Sequence, residues 1–202
     1  MNYTPPMSFL LVLPLSATVQ DELNVLRDSL NEVRWLPPAH CMIPLYTLGR
    51  ITARHALEEL DATLSHFHWE PFSITLQEVS HHLGEVEDTL SVGITPKQAL
   101  ITFQKKLSTL LRRAGFASSR RPFIPTMTIA RLDPAAPTDL MTWVQRHNLF
   151  HSSPMMVDHL MLLEHLHSHG EDHFQLLEQY PAIPSLLLDD ALGSSPKPDD
   201  FP

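Results

Sequence analysis

A chain of 202 residues with 43% hydrophobic side chains has room for one packed domain, or one domain of two similar lobes. Its net charge of −9 disfavours a protein that coats nucleic acid unspecifically, and its single cysteine, Cys41, excludes an intrachain disulfide. No apolar run reaches the roughly 18 residues of a membrane span, and residues 1–7, ahead of the apolar stretch 8–15, carry no Lys or Arg, unlike a secretory leader.

A soluble, cytoplasmic, monomeric protein with no membrane contact is therefore expected. Residues 9–15 predict a buried strand, too short and too rich in Leu and Val for a stable helix. Ser16 or Thr18 suits the cap of a helix that Leu23, Leu26, Leu30 and Val33 extend to about residue 33. Trp35-Leu-Pro-Pro38 breaks regular structure, because neither proline can donate a backbone hydrogen bond. A second strand over 42–48 ends at Gly49. It leads to a helix over 53–64 with Ala56, Leu57, Leu60 and Leu64 on one face.

Residues 72–79 alternate apolar and polar, the pattern of a half-buried strand, and 89–94 supply its partner. Pro96 opens a helix over 99–114 with apolar positions 100, 103, 107, 110 and 111, and Gly115 is its C-cap. A loop rich in Ser and Arg precedes a strand over 126–132 and a helix over 138–147. Strands over 156–165 and 173–180 form a closing hairpin that turns at Ser168-His-Gly-Glu171. Beyond residue 183 Pro, Ser, Gly and Asp dominate. The domain is therefore expected over 1–183, with a disordered acidic tail over 184–202.

This order of elements is α+β. It contains an internal echo: Pro37-Pro-Ala-His-Cys-Met-Ile-Pro-Leu45 and Arg121-Pro-Phe-Ile-Pro-Thr-Met-Thr-Ile129 both lead through proline into a short apolar strand. Two pseudo-symmetric lobes of antiparallel sheet with outer helices, facing each other across a central cleft, account for that echo.

Two stretches carry a resemblance. Trp35-Leu-Pro-Pro-Ala-His-Cys-Met-Ile-Pro-Leu-Tyr-Thr-Leu-Gly49 is similar to the first catalytic motif of the two-histidine (2H) phosphoesterases. Arg121-Pro-Phe-Ile-Pro-Thr-Met-Thr-Ile-Ala-Arg131 is similar to their second. The resemblance spans roughly residues 9–183 and points to the bacterial RNA 2′,3′-cyclic phosphodiesterase, or 2′-5′ RNA ligase, branch. It implies the bilobal fold, an RNA or nucleotide ligand in the cleft, and no cofactor.

The same resemblance implies that both catalytic histidines are replaced. The first falls on Met42 with its hydroxyl partner on Pro44; the second falls on Thr126, while the partner hydroxyl survives as Thr128. Methionine exchanges no proton at useful pH, and a threonine hydroxyl is far too weak an acid or base to replace an imidazole. Each lost acid–base group costs about 10²–10⁴ in rate. His40 lies two residues before Met42, on the same side of an extended strand but about 6–7 Å along it. Proton transfer needs contact at about 3 Å, so His40 is poorly placed to substitute.

Thr126, Thr128 and Arg131 are the best candidates for an anion site, with Arg121 on its rim and Tyr46 as a cleft-wall or stacking residue. Arg131 serves equally well in a surface salt bridge, and Arg112 and Arg113 read as the solvated face of a helix. His165, His167 and His169 would share one face of a strand and are weak metal candidates, since their spacing matches no usual zinc signature. The leading expectation is a 2H-fold protein without the family catalysis, binding a nucleotide or RNA end. The alternatives are a phosphodiesterase with another acid–base pair and a metal-responsive interaction protein.

Overall fold

The structure, a computed structural model, describes residues 7–27, 30, 33–84, 87–116, 122–132, 139–168 and 171–183. In chain order its elements are β1 (Met7–Leu13), α1 (Ala17–Arg27), β2 (Val33–Trp35), a 3₁₀ turn (Pro38–His40), β3 (Ile43–Gly49) and α2 (Arg54–Ser65). There follow β4 (Phe72–His82), β5 (Asp88–Thr95), α3 (Lys97–Arg113), β6 (Thr126–Leu132), α4 (Leu140–His147), β7 (Met155–Val157), β8 (His159–Ser168) and β9 (Glu171–Pro181). Arg121, His169 and the acidic tail of the sequence analysis lie outside the described residues.

The strands form two antiparallel sheets, one of four strands in the order β3-β1-β8-β9 and one of five in the order β2-β6-β5-β4-β7. This is the α+β, two-lobed architecture expected. One face of the four-stranded sheet buries Phe9, Leu11, Leu13, Leu160 and Tyr180, and α2 adds Leu60 and Leu64 to the same core. Tyr180 on β9 donates its hydroxyl to Asp61 Oδ1 on α2 at 2.8 Å, fixing helix to sheet. The helix α3 buries Leu100, Phe103, Leu107 and Leu111, one stripe at helical spacing. Gly115 follows its end at φ +86°, a conformation that suits glycine at a helix C-terminus.

Two boundaries differ from the sequence reading. α1 starts as expected, with Ser16 Oγ accepting from Val19 N at 3.4 Å, but ends at Arg27 rather than near residue 33. The Arg27 guanidinium then donates to Leu36 O at 2.5 Å and to Cys41 Sγ at 3.3 Å, anchoring the proline-rich turn. Val33–Trp35 is instead a short strand that pairs with Leu132, Arg131 and Ala130 of β6, and the expected break follows it at Leu36 and Pro37.

The second difference concerns residues 155–168. Met155 and Val157 are buried at strand spacing, but the next buried residue is Leu160, three positions on, so the alternation changes phase after Val157. β7 pairs with Phe72–Ile74 of β4, while β8 pairs with β1 in the other sheet. The change of phase at Asp158 and His159 marks where the chain leaves one sheet for the other, although it does not say which strand each half pairs with. No helix among the described residues is long and apolar enough to cross a membrane.

Candidate functional site: a cleft between the sheets

β6 supplies one wall. Its partner β5 pairs Ser91 with Thr128 and Leu90 with Ala130, so Ile129 is an extra residue, a β-bulge. The bulge shifts the alternation. Met127, Ile129, Ala130 and Leu132 are buried, which leaves Thr126, Thr128 and Arg131 on the other, partly open face. Without the bulge Arg131 would turn to the face opposite the two threonines.

The opposing wall comes from β3, where Pro44 and Thr47 are exposed. Between the walls lies a cleft of about 660 Å³, lined by Pro44, Tyr46, Thr126 and Thr128 among others. The two motif stretches therefore meet in one cavity. Tyr46 is only 6% exposed, and its hydroxyl donates to Phe116 O at 3.1 Å. Its ring is thus built into the wall and is not free to stack on a base.

The remaining wall is α3, which the sequence reading leaves out of the site. Gln104, Lys105, Ser108, Thr109 and Arg112 all line the cleft. Gln104 Nε2 lies 3.2 Å from Leu45 O and 2.8 Å from Ser108 Oγ, tying the helix to β3. Arg112, read from sequence as solvated surface, is exposed but belongs to the cleft rim. A polar face at helical spacing is the signal that could have found these residues, though most surface helices carry one.

Met42 is not among the residues that line this cleft. It lines a separate cavity of about 230 Å³ with Val12, Met161, Leu163, Phe174 and Leu176, on the same sheet but under different cover. Nearby, Phe174 packs between two imidazoles: His165 stacks on it at 4.7 Å and 15°, and His40 meets it edge-on at 4.9 Å and 77°. No histidine lines the 660 Å³ cleft among the described residues.

Arg131 is held by carboxylates. Its Nε lies 3.2 Å from Glu87 Oε1 and its Nη2 lies 2.8 Å from Asp172 Oδ2 on β9 of the other sheet. Asp172 also accepts, through Oδ1, from His165 Nε2 and His167 Nδ1, each at 2.8 Å. His165 Nδ1 in turn lies 3.3 Å from Ser8 Oγ. Burial alone would raise the Asp172 pKa, but the hydrogen bonds from His165 and His167 and the charge of Arg131 overcome it and bring it down to about 2. Arg131 thus sits in an inter-sheet ion pair, not in the surface pair that was the alternative to phosphate binding. His165 and His167 turn to one carboxylate. Among the described residues no group of three or more His, Cys, Asp or Glu is arranged to hold a metal ion.

The sequence profile of the 2′-5′ RNA ligase superfamily matches residues 43–169, a span that includes Thr126 and Thr128 and begins one position after Met42. No curated protein sequence matches the chain. The Escherichia coli LigT structure with NADP⁺ superposes with a TM-score of 0.69 at 18% identity, over 89% of this chain and 99% of LigT. LigT with 3′-AMP gives 0.70 at 17% identity, over 88% and 98%. The protein TT0787 of Thermus thermophilus gives 0.70 at 15% identity, over 88% and 99%. At these identities the likeness is one of fold.

Proposed function

The chain belongs to the 2′-5′ RNA ligase superfamily, and on that footing we propose that its cleft holds a nucleotide or the end of an RNA strand without two-histidine acid–base chemistry. It would then act as a binding or regulatory module, a monomer in the cytoplasm. The observation that carries this reading is the lining of the cleft. A pair of threonine hydroxyls, Thr126 and Thr128, faces Pro44 across it, with Lys105 and Arg112 at its rim and no imidazole among its described walls.

The chemistry of such a lining is that of a holder. Hydroxyls and cations donate to phosphate oxygens and stabilise their charge. None of them can take a proton from a water or a ribose hydroxyl near neutral pH, a step that needs a group poised there. Met42, at the position of the family's first histidine by resemblance, brings a thioether and lies in a neighbouring apolar cavity.

The test is hydrolysis of a nucleoside 2′,3′-cyclic phosphate by the natural protein beside a Met42→His, Thr126→His double variant, with calorimetric binding of 3′-AMP in parallel. The reading expects no turnover by the natural protein, and 3′-AMP binding that weakens about tenfold in Thr128→Val, the loss of roughly one hydrogen bond to a charged group. Turnover by the natural protein that disappears in Thr128→Ala would sink it.

One observation favours a second reading, a phosphodiesterase with another acid–base pair. His165, bonded to Asp172, belongs to the network that reaches Arg131, on the same strand face as the threonine pair. That reading expects turnover that survives Thr126→Val and is abolished by His165→Gln.

A further inference from the structure

Charge is distributed along this chain very unevenly. Residues 89–132, which include β5, α3 and β6, contain eight of the 14 Lys and Arg and none of the 23 Asp and Glu. The other residues therefore carry six basic side chains against all 23 acidic ones. A net charge of −9 conceals one basic unit inside an acidic protein, and that unit carries the threonine wall of the cleft.

Most of this charge is displayed on α3, whose sequence has five basic residues, Lys97, Lys105, Lys106, Arg112 and Arg113, and no acidic one. All five are exposed. Among the described residues none of them forms an ion pair. Lys105 and Arg112, and likewise Lys106 and Arg113, are seven residues apart. Each pair therefore lies on one side of the helix, about 10 Å apart along its axis.

The ordinary explanations of a basic helix cover only part of this. Arg112 and Arg113 in the last turn complement the negative end of the helix dipole. Lys105 and Lys106 lie mid-helix, where the dipole offers nothing, and Lys97 occupies the first turn, where a cation is unfavourable. A helix that is merely solvated mixes signs, which gains the pairing energy of residues three and four apart. α3 forgoes that pairing.

The basic face is also continuous with the cleft. Beside it runs an open groove of about 510 Å³, lined by Gln98, Thr102, Lys106 and Arg113 and floored by Phe67 and Leu110. Lys105 and Thr109 line both the groove and the cleft, so the two form one path. A ligand whose charged end lies against Thr126 and Thr128 and whose body repeats that charge would meet a cation at each step outward.

We infer that the face of α3 bearing Lys105, Lys106, Arg112 and Arg113 binds the phosphate backbone of a single-stranded RNA whose terminus occupies the adjoining cleft. This rests on the nucleotide or RNA-end reading of the cleft and extends it from a terminal nucleotide to a strand of several phosphates. The acidic remainder of the surface repels such a strand everywhere else, so binding is confined to one line instead of spread over the protein.

The experiment is fluorescence anisotropy of the full chain with a labelled single-stranded RNA of about ten nucleotides bearing a 3′-phosphate, alongside calorimetry with 3′-AMP. The RNA is expected to bind at least about tenfold more tightly than 3′-AMP, with a log K versus log salt slope near −3 if four cations each contribute about 0.7. Lys106→Gln with Arg113→Gln touches the groove and leaves the cleft lining intact. It is expected to reduce the slope by about 1.4 and to leave 3′-AMP binding unchanged.

Equal affinity of RNA and 3′-AMP, or an unchanged slope in the double variant, would overturn the inference while leaving the cleft reading in place. RNA binding that depends on Lys106 and Arg113 but is indifferent to Thr128→Val would uphold the groove and remove the cleft. Poly-glutamate that displaces the RNA at equal charge would also overturn the inference, because the face would then read as a dock for acidic protein. Absence of binding by both RNA and 3′-AMP would overturn both readings.

Discussion

Arg131 on β6 and Asp172 on β9 join the two sheets, with guanidinium Nη2 and carboxylate Oδ2 2.8 Å apart. Both groups are otherwise occupied on their own side. Arg131 holds Glu87, and Asp172 accepts from His165 and His167, so the bridge links two local networks instead of two lone charges. Such sharing matters energetically, because a partly buried ion pair repays its desolvation only when its remaining lone pairs and protons are also satisfied. The side chains are 34% and 13% exposed, between a surface pair and a buried one.

A double-mutant cycle with Arg131→Gln and Asp172→Asn is expected to give a coupling energy of about 1–2 kcal/mol by urea unfolding. The Arg54–Glu58 pair on α2 lies outside this network and offers an internal control. Its contact is 3.0 Å, but its side chains are 93% and 65% exposed, so its coupling is expected below about 1 kcal/mol. Equal coupling in the two cycles would mean that the inter-sheet position confers nothing.

The acid limit of stability follows from Asp172. Its folded-state pKa of about 2 lies below the ordinary carboxylate value, so unfolding takes up a proton near pH 3. The stabilisation is present above the unfolded-state pKa of about 4, and it is lost as pH falls through about 2. The difference in unfolding free energy between the natural protein and Asp172→Asn is therefore expected to be roughly 2 kcal/mol at about pH 5. It should shrink steadily below about pH 4. A difference that instead grows on acidification would assign the effect to another carboxylate.

Most of the architecture is legible from periodicity, and the failures are instructive. The alternation of Thr126, Thr128 and their apolar neighbours, with proline at the entrance, predicts β6 at its observed bounds. The bulge at Ile129 escapes that reading, since an extra residue in one strand is defined by its partner β5. It is this bulge that turns Arg131 to the cleft-side face. Asp172 likewise gives no sign of being a site residue, because its partners lie seven and 41 positions away in sequence. The basic wall is hidden for a different reason: the chain-wide charge of −9 averages it out, and only a count restricted to residues 89–132 exposes it.

The final prediction concerns Tyr180, which is 5% exposed and donates to Asp61 at 2.8 Å. Burial pushes its phenol pKa up, and the hydrogen bond and charge of Asp61 push it further, well above the ordinary tyrosine range. A raised folded-state pKa contributes stability that is complete below the unfolded value of about 10 and declines as pH rises beyond it, when only the unfolded chain can ionise. Tyr180→Phe removes one hydrogen bond between β9 and α2 and leaves Asp61 without that donor, a loss of about 1–2 kcal/mol near pH 7. The variant also lacks the ionisation, so its stability is expected to fall less steeply than that of the natural protein between about pH 9 and 11. Urea unfolding at both ends of that range measures the difference, and parallel slopes would mean that Tyr180 ionises as readily folded as unfolded.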